Sequence, residues 1–253
     1  MKLSELNITT EAVNEPPRIV LFGAPKVGKS TIACQSDNPL TISLEKGVKN
    51  MKTHNVFADS LDMFKDIVMA LIEDEHEYKT LVIDHVTGLE QLIHKKLCEV
   101  DGVDSIEKVQ KGYGKGFTMS VELLAKILTV LDRLVEEKGM SILFLGHSKI
   151  ENKPNTLGDD YKIQTVDANQ KFTAMLTKWS DANIFMDHKV YTVKEDKGFN
   201  QKDVKASMAG RVLYTGECAG AMTGNRYGMP TEIPITKENG WELIKQAIVG
   251  ETK

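Results

Sequence analysis

The densest chemistry in the chain lies in Gly23-Ala24-Pro25-Lys26-Val27-Gly28-Lys29-Ser30-Thr31. Two glycines separated by four residues, then Lys and a hydroxyl, form the phosphate-binding P-loop pattern. Glycine lets the backbone bend so that successive N–H groups aim at one centre. Lys29 brings a mobile cation for the β- and γ-phosphates, and the Ser30 hydroxyl can ligate Mg²⁺. The next residues, Thr31 to Gln35, can open a helix whose free N–H groups and dipole add to the grip.

Three further residues have types and positions that suit such a site. Asp84 closes the apolar run Leu81-Val82-Ile83. A carboxylate at that strand tip can hold Mg²⁺ directly or through water; the alternative is a cap for the next helix. Glu45 ends Thr41-Ile42-Ser43-Leu44. It can orient or deprotonate an attacking water, or it is a solvated loop acid beside Lys46. His147 ends Ser141 to Gly146, where loss of one hydrogen bond to a departing phosphate would bias the loop that follows; otherwise it is an ordinary loop histidine. In open α/β sheets, ligands gather at the carboxyl ends of strands, which is where all three are predicted to sit.

The elements that must place these residues alternate between strand and helix. Ile19–Phe22, Pro39–Leu44, Leu81–Asp84 and Ser141–Gly146 read as buried strands. Leu61, Phe64, Ile67, Val68, Leu71 and Ile72 repeat at helical spacing over 60–73, with Ser60 as N-cap. Helices are also predicted over 87–99, about 118–138 with Gly139 as its stop, 170–179 and 241–249. Residues 103–117 read as a flexible basic segment and 148–165 as a long loop. Strands are expected over 182–186 and 189–194, turning at Asp196-Lys197-Gly198, with short strands and loops to about 235. The alternation predicts an α/β fold with a mostly parallel, doubly wound sheet and a β-rich C-terminal edge. The division expected is an N-terminal arm over 1–17 and an ATPase domain over 18–253, its core 18–190 and its β-rich part 191–253.

Composition bounds the partners. The 253 residues are 41% hydrophobic and 27% charged, as in globular proteins, and suffice for one large domain. No 18-residue apolar run is present and Met1–Thr10 lacks a signal core, so neither a membrane span nor secretion is expected. Cys34, Cys98 and Cys218 form no CxxC pair and fit a reducing cytosol. The six histidines show no zinc-ligand spacing. With a net charge of −4, any nucleic-acid contact must be a local basic stripe. Lys108, Lys111, Lys115 and Tyr113 are candidates, with cations for the backbone and one ring for stacking.

The P-loop, Ile42-Ser43-Leu44-Glu45, Thr80-Leu81-Val82-Ile83-Asp84, Gly112-Tyr113-Gly114-Lys115-Gly116-Phe117, Leu143-Phe144-Leu145-Gly146-His147-Ser148-Lys149 and Asn225-Arg226-Tyr227-Gly228-Met229-Pro230 occur in that order. Together they resemble the phage nucleotide-binding proteins, RecA-like ATPases that act as single-strand annealing recombinases. The resemblance spans roughly residues 15–250. It implies a RecA-like P-loop core that uses ATP and Mg²⁺ on single-stranded DNA, in the cytoplasm of an infected bacterial host. Glu45 would stand for the catalytic Glu, Asp84 for the metal-linked Asp and His147 for the phosphate sensor, where RecA proper has Gln. The two DNA loops would fall at about 103–117 and 148–165, which adds Lys149 and Lys153 to the DNA-binding candidates. Arg226 stands where RecA proper places lysines that reach a neighbour's ATP site, so it is a candidate cation in trans; the first of those lysines is missing here. Self-association into a filament or ring is implied, with a single-strand-binding protein as a possible collaborator.

The resulting expectation is an ATP-dependent recombinase promoting strand annealing or exchange. The alternative is a nucleotide-switched module that binds DNA or a replication protein with little or no hydrolysis. A small-molecule kinase would need an Arg-rich lid, and Arg18, Arg133, Arg211 and Arg226 are too dispersed for one.

Overall fold

The computed structural model describes residues 15–45, 53–156, 158–196 and 202–250, and the backbone alone at 192–196, 202–206 and 209. Residues 1–14 of the expected arm, Lys46, and the Lys197-Gly198 turn lie outside the described residues.

In chain order the strands are β1 (Arg18–Gly23), β2 (Pro39–Ser43), β3 (His54–Phe57), β4 (Thr80–Asp84), β5 (Ser141–Lys153), β6 (Tyr161–Val166), β7 (Ala182–Asp196), β8 (Lys202–Tyr214), β9 (Gly224–Asn225) and β10 (Glu232–Ile235). The helices are α1 (Lys29–Cys34), α2 (Leu61–Glu73), α3 (Val86–Asp101), α4 (Lys115–Lys138), α5 (Gln170–Trp179) and α6 (Gly240–Val249). The sheet runs β10-β8-β7-β1-β5-β4-β2-β3, with β6 on β5 and β9 on β7. From β7 to β3 the neighbours along that path are parallel, and β8 and β10 add an antiparallel edge. The α/β class, the mostly parallel sheet and the β-rich edge are therefore as the sequence predicts.

Alternate side chains of one strand serve opposite faces of the sheet. Val20 and Phe22 pack with α2 to α5, whereas Ile19 and Leu21 pack with α1 and α6. Both sets are buried, so β1 reads as an unbroken apolar run. The arrangement leaves the strands' carboxyl ends clear of helices, and the loops that carry polar residues emerge there.

The helix punctuation is largely as predicted. Ser60 accepts a hydrogen bond from the Met63 N–H at 3.2 Å, and Gly139 ends α4 in the left-handed conformation. Four expectations are corrected. The 148–165 stretch is a hairpin: β5 continues to Lys153 and pairs antiparallel with β6. The 103–117 segment holds a 3-10 turn over Ile106–Lys111 with Val109 buried, and α4 begins at Lys115. Gly116 sets that docking, because a Cβ there would collide with the Ile106 carbonyl oxygen. The two strands expected over 182–194 are one strand, β7, bent by a register shift at His188/Lys189. The region beyond it, read as short strands and loops, is dominated by the 13-residue β8. β3 was not foreseen at all.

Candidate functional site

Two neighbours frame the P-loop. β1 pairs Gly23 with His147 of β5 on one side and with Met186 of β7 on the other. A Cβ at residue 23 would strike the Met186 carbonyl oxygen, so the first glycine is needed for close strand approach. Gly28 has φ +121 and caps α1, a conformation that L side chains rarely adopt. The loop then delivers Lys29 inward. Its side chain is buried, and Nζ donates to the carbonyl oxygens of Gly23 and Ala24, each at 2.9 Å. Burial pulls the Lys29 ammonium down to about 8, against the opposing attraction of Asp84.

A cavity of about 200 Å³ opens against this loop, lined by Lys26, Gly28, Lys29, Ser30, Thr31, Asp84, His85 and His147. Asp84 arrives from β4, which lies one strand removed from β1, with β5 between them. Burial pushes its carboxyl up; His85 and Lys29 pull the other way. Asp84 is not the cap of α3. That task falls to His85, whose Nδ1 accepts the Gly88 N–H at 3.3 Å. The neutral ring then carries its proton on Nε2, which approaches Glu45 Oε1 at 2.9 Å, outside hydrogen-bond direction. The contact is thus a close approach without a hydrogen bond, and it places the exposed Glu45, two residues past β2, beside the cavity wall. His85 and His147 meet edge to face with ring centroids 4.7 Å apart. Burial, then the neighbouring Lys29 and His85, hold His147 below the ordinary histidine range, and its buried Nδ1 has no hydrogen-bond partner.

A family model described as an AAA domain matches residues 15–227. The chain belongs to the AAA domain family. It is accordingly a nucleotide-binding member of the P-loop ATPases. The AAA domain is 21% identical over 140 residues to the SPbeta prophage-derived uncharacterized protein YorG of Bacillus subtilis (strain 168). That match takes in 53% of this chain and 42% of the relative, so the chain spans under half of that protein's length. Among solved structures, the RadB recombinase aligns over 88% of this chain and 90% of its own, at 10% identity and a TM-score of 0.47. Among the described residues, no helix of the AAA domain is long and apolar enough to cross a membrane.

The predicted site residues divide by location. The P-loop, Ser30, Asp84 and His147 converge on the cavity, and Glu45 joins through His85. Arg226 does not. It holds Asp181 Oδ1 at 2.9 Å and the Lys178 carbonyl at 2.9 Å, at the start of β7. That is the amino end of the sheet, opposite the P-loop. The DNA-binding candidates lie elsewhere again. Lys108 pairs with Asp104 at 2.7 Å, and Lys149 on β5 pairs with Glu151 at 2.9 Å. Lys111 and Tyr113 stand in left-handed backbone, with Tyr113 98% exposed. Lys115 begins α4, and Lys153 lies over the Tyr161 ring at 5.8 Å. His85 escaped notice in the sequence because a single histidine has no spacing signature. Its place directly after a strand-ending Asp and before a helix was the available signal.

Proposed function

We propose that this chain binds ATP with Mg²⁺ in the P-loop cavity, hydrolyses it, and uses that cycle to act on single-stranded DNA as a RecA-type recombinase. The observation that carries the nucleotide half is the convergence of Gly28–Thr31, Asp84 and His147 on one cavity, with Glu45 2.9 Å from His85 at its edge. The donor set fits the metal. Mg²⁺ at such sites takes one or two protein ligands and fills the rest with phosphate and water, and Ser30 and the half-buried Asp84 would provide that pair. When bound, the ion supplies charge neutralisation for the β- and γ-phosphate oxygens. Lys29 would leave the Gly23 and Ala24 carbonyls for phosphate. Glu45 would take the proton of the attacking water, with the His85 N–H steadying the carboxylate. His147, held neutral, can donate to or accept from a phosphate and so report its departure.

The DNA half rests on the β5–β6 hairpin and the Gly112–Gly114 turn. The hairpin presents Lys149, Lys153 and Lys162 with Tyr161, and the turn presents Tyr113. Cations for phosphates and rings for bases are the requirements of a single-strand platform. Few phosphates are neutralised per chain, so useful affinity requires many copies on one strand. The prophage origin in the relative's name fits a phage setting, in the cytoplasm of the bacterial host, with a single-strand-binding protein as collaborator.

A second reading, a nucleotide switch with little hydrolysis, is favoured by one observation: Arg226 is engaged with Asp181 at the far end of its own chain. Phosphate release measured with and without single-stranded DNA separates the two. The recombinase reading expects DNA stimulation that Lys29→Ala abolishes. DNA binding that needs ATP, with phosphate release at background, establishes the switch instead.

A further inference from the structure

We propose that Arg211 of β8 is a phosphate-binding residue of the chain's own nucleotide pocket, contacting the di- or triphosphate gripped by Gly23–Thr31; this rests on the nucleotide-binding reading above. The register places it. β7 runs beside β1 with Met186 opposite Gly23, and two residues further on His188 pairs with Arg211. Residues two apart on a strand share a face. Arg211 therefore lies on the face of Leu213, which packs in the same cluster as Val27 and Ile32 around the P-loop. The contact is close. A Cβ built on Gly28 would lie 3.6 Å from Arg211 Nε and 3.8 Å from its Cδ. The glycine at the heart of the loop is thus covered by an arginine side chain.

One feature points to an anion, and a second accounts for the arginine's aim. First, Arg211 Nε is buried without a hydrogen-bond partner, and no ion pair engages the guanidinium among the described residues. A buried N–H donor without an acceptor is costly, and arginine is the side chain best shaped to grip phosphate. Second, the backbone is bent at this point. His188 pairs with Arg211 but Lys189 pairs with Ala209, leaving Gly210 as an extra residue with φ +65. This is a glycine β-bulge, a device that re-aims the next side chain and recurs beside active sites. Here the re-aimed side chain is the one against the P-loop.

Nucleotide binding by the full-length chain tests this, with ATP, ADP and adenosine as probes and Mg²⁺ present. Arg211→Met keeps the bulk of the side chain and removes its charge. A lost charge-assisted hydrogen bond corresponds to roughly a ten- to hundredfold weakening, expected for ATP and ADP and not for adenosine. Arg211→Lys should fall in between, and it guards against a folding defect in the Met variant. Without nucleotide, Arg211→Met should melt no lower than wild type, since it removes an unpartnered buried N–H, whereas its ATP-induced rise in Tm should shrink. ATP affinity within twofold of wild type overturns the inference. So does tight binding restored by mixing Arg211→Met with Lys29→Ala chains, which would place the arginine in a neighbour's pocket. A wild-type chain that binds no nucleotide overturns the nucleotide reading as well; one that binds ATP, loses it on Lys29→Ala and keeps it on Arg211→Met overturns this inference alone.

Discussion

At the scale of single residues, the cavity sets enclosed groups beside an exposed one. Lys29 and Ser30 are buried or half-buried in the loop itself, whereas the Glu45 carboxylate is exposed and reaches the cavity only through His85. A base that touches water but not the phosphates should be dispensable for binding. Glu45→Gln is therefore expected to slow phosphate release by about 10²–10⁴, the usual worth of a positioned general base, while ATP affinity stays within a few-fold. A parallel measurement of turnover and binding checks it, and equal losses in both would remove Glu45 from the chemistry. The strand-ending position made Asp84 and His147 legible, because an acid or imidazole at a buried strand's tip has few places to go. His85 was not legible. Its two contacts, the Gly88 N–H and the Glu45 carboxylate, join residues that are adjacent only once β2 and β4 pair.

At the scale of elements, the sequence was readable where burial was one-sided or complete and unreadable where it was absent. β1, β4 and the first half of β5 are largely apolar on both faces and announce themselves, and β2 carries Leu40 and Ile42 on one face with Thr41 and Ser43 buried on the other. The β5 extension is half-buried or exposed and polar on both faces, β6 buries only Ile163, Thr165 and Val166, and the sequence of the outer part of β8 is mostly polar, so the alternation that marks a half-buried strand is weak in all three. A polar hairpin is also the element best placed to meet nucleic acid. Replacing Lys149, Lys153 and Lys162 by Ala should lower the slope of log affinity for single-stranded DNA against log salt by up to about 0.7 per lysine that contacts a phosphate. ATP affinity should be unchanged, and an unaltered slope would remove the hairpin from the interface. The α3–α4 seam has a different sensitivity. His94 stacks edge-on against Phe117 with ring centroids 5.7 Å apart, and its Nε2 lies 3.9 Å from Glu90, too far for a hydrogen bond. Burial holds His94 below its ordinary value of 6.5. The unfolded chain then binds more protons near and below that pH, so stability rises with pH there. The contribution is complete above about pH 6.5 and is lost as the pH falls. Thermal melts across pH 5–8 should show wild type losing stability toward acid relative to His94→Phe, and parallel curves would refute the assignment.

At the scale of the whole molecule, the sheet holds two arginines at opposite ends. The order β7-β1-β5-β4 was not legible, since a sequence shows strands but not which neighbours they choose; yet that order sets the distance between Arg226 and the P-loop. Arg226 meets Asp181, next to Ala182, which pairs with Ile19, whereas the P-loop begins at Gly23 opposite Met186. At about 3.3 Å per residue the sheet separates them by over 10 Å, so Arg226 does not reach its own chain's P-loop, and any contact with nucleotide would have to be with a neighbour's. The Arg226 side chain is 59% exposed although Asp181 is buried, and release would give up the Asp181 ion pair and the bond to the Lys178 carbonyl. Asp181, the buried partner, is not orphaned by the departure: Oδ2 still accepts from the Arg18 backbone N–H at 3.0 Å and from Arg18 Nε at 3.1 Å. An arginine supplied in trans raises phosphoryl-transfer rates by roughly 10³–10⁵, and its removal should leave nucleotide binding to the isolated chain intact. Arg226→Ala and Lys29→Ala should each be inactive in DNA-stimulated phosphate release. Mixed together they should recover part of the wild-type rate, because an intact P-loop in one chain can meet an intact Arg226 in the next. Full activity of Arg226→Ala alone, or no recovery in the mixture, would leave the salt bridge to Asp181 as the residue's whole role.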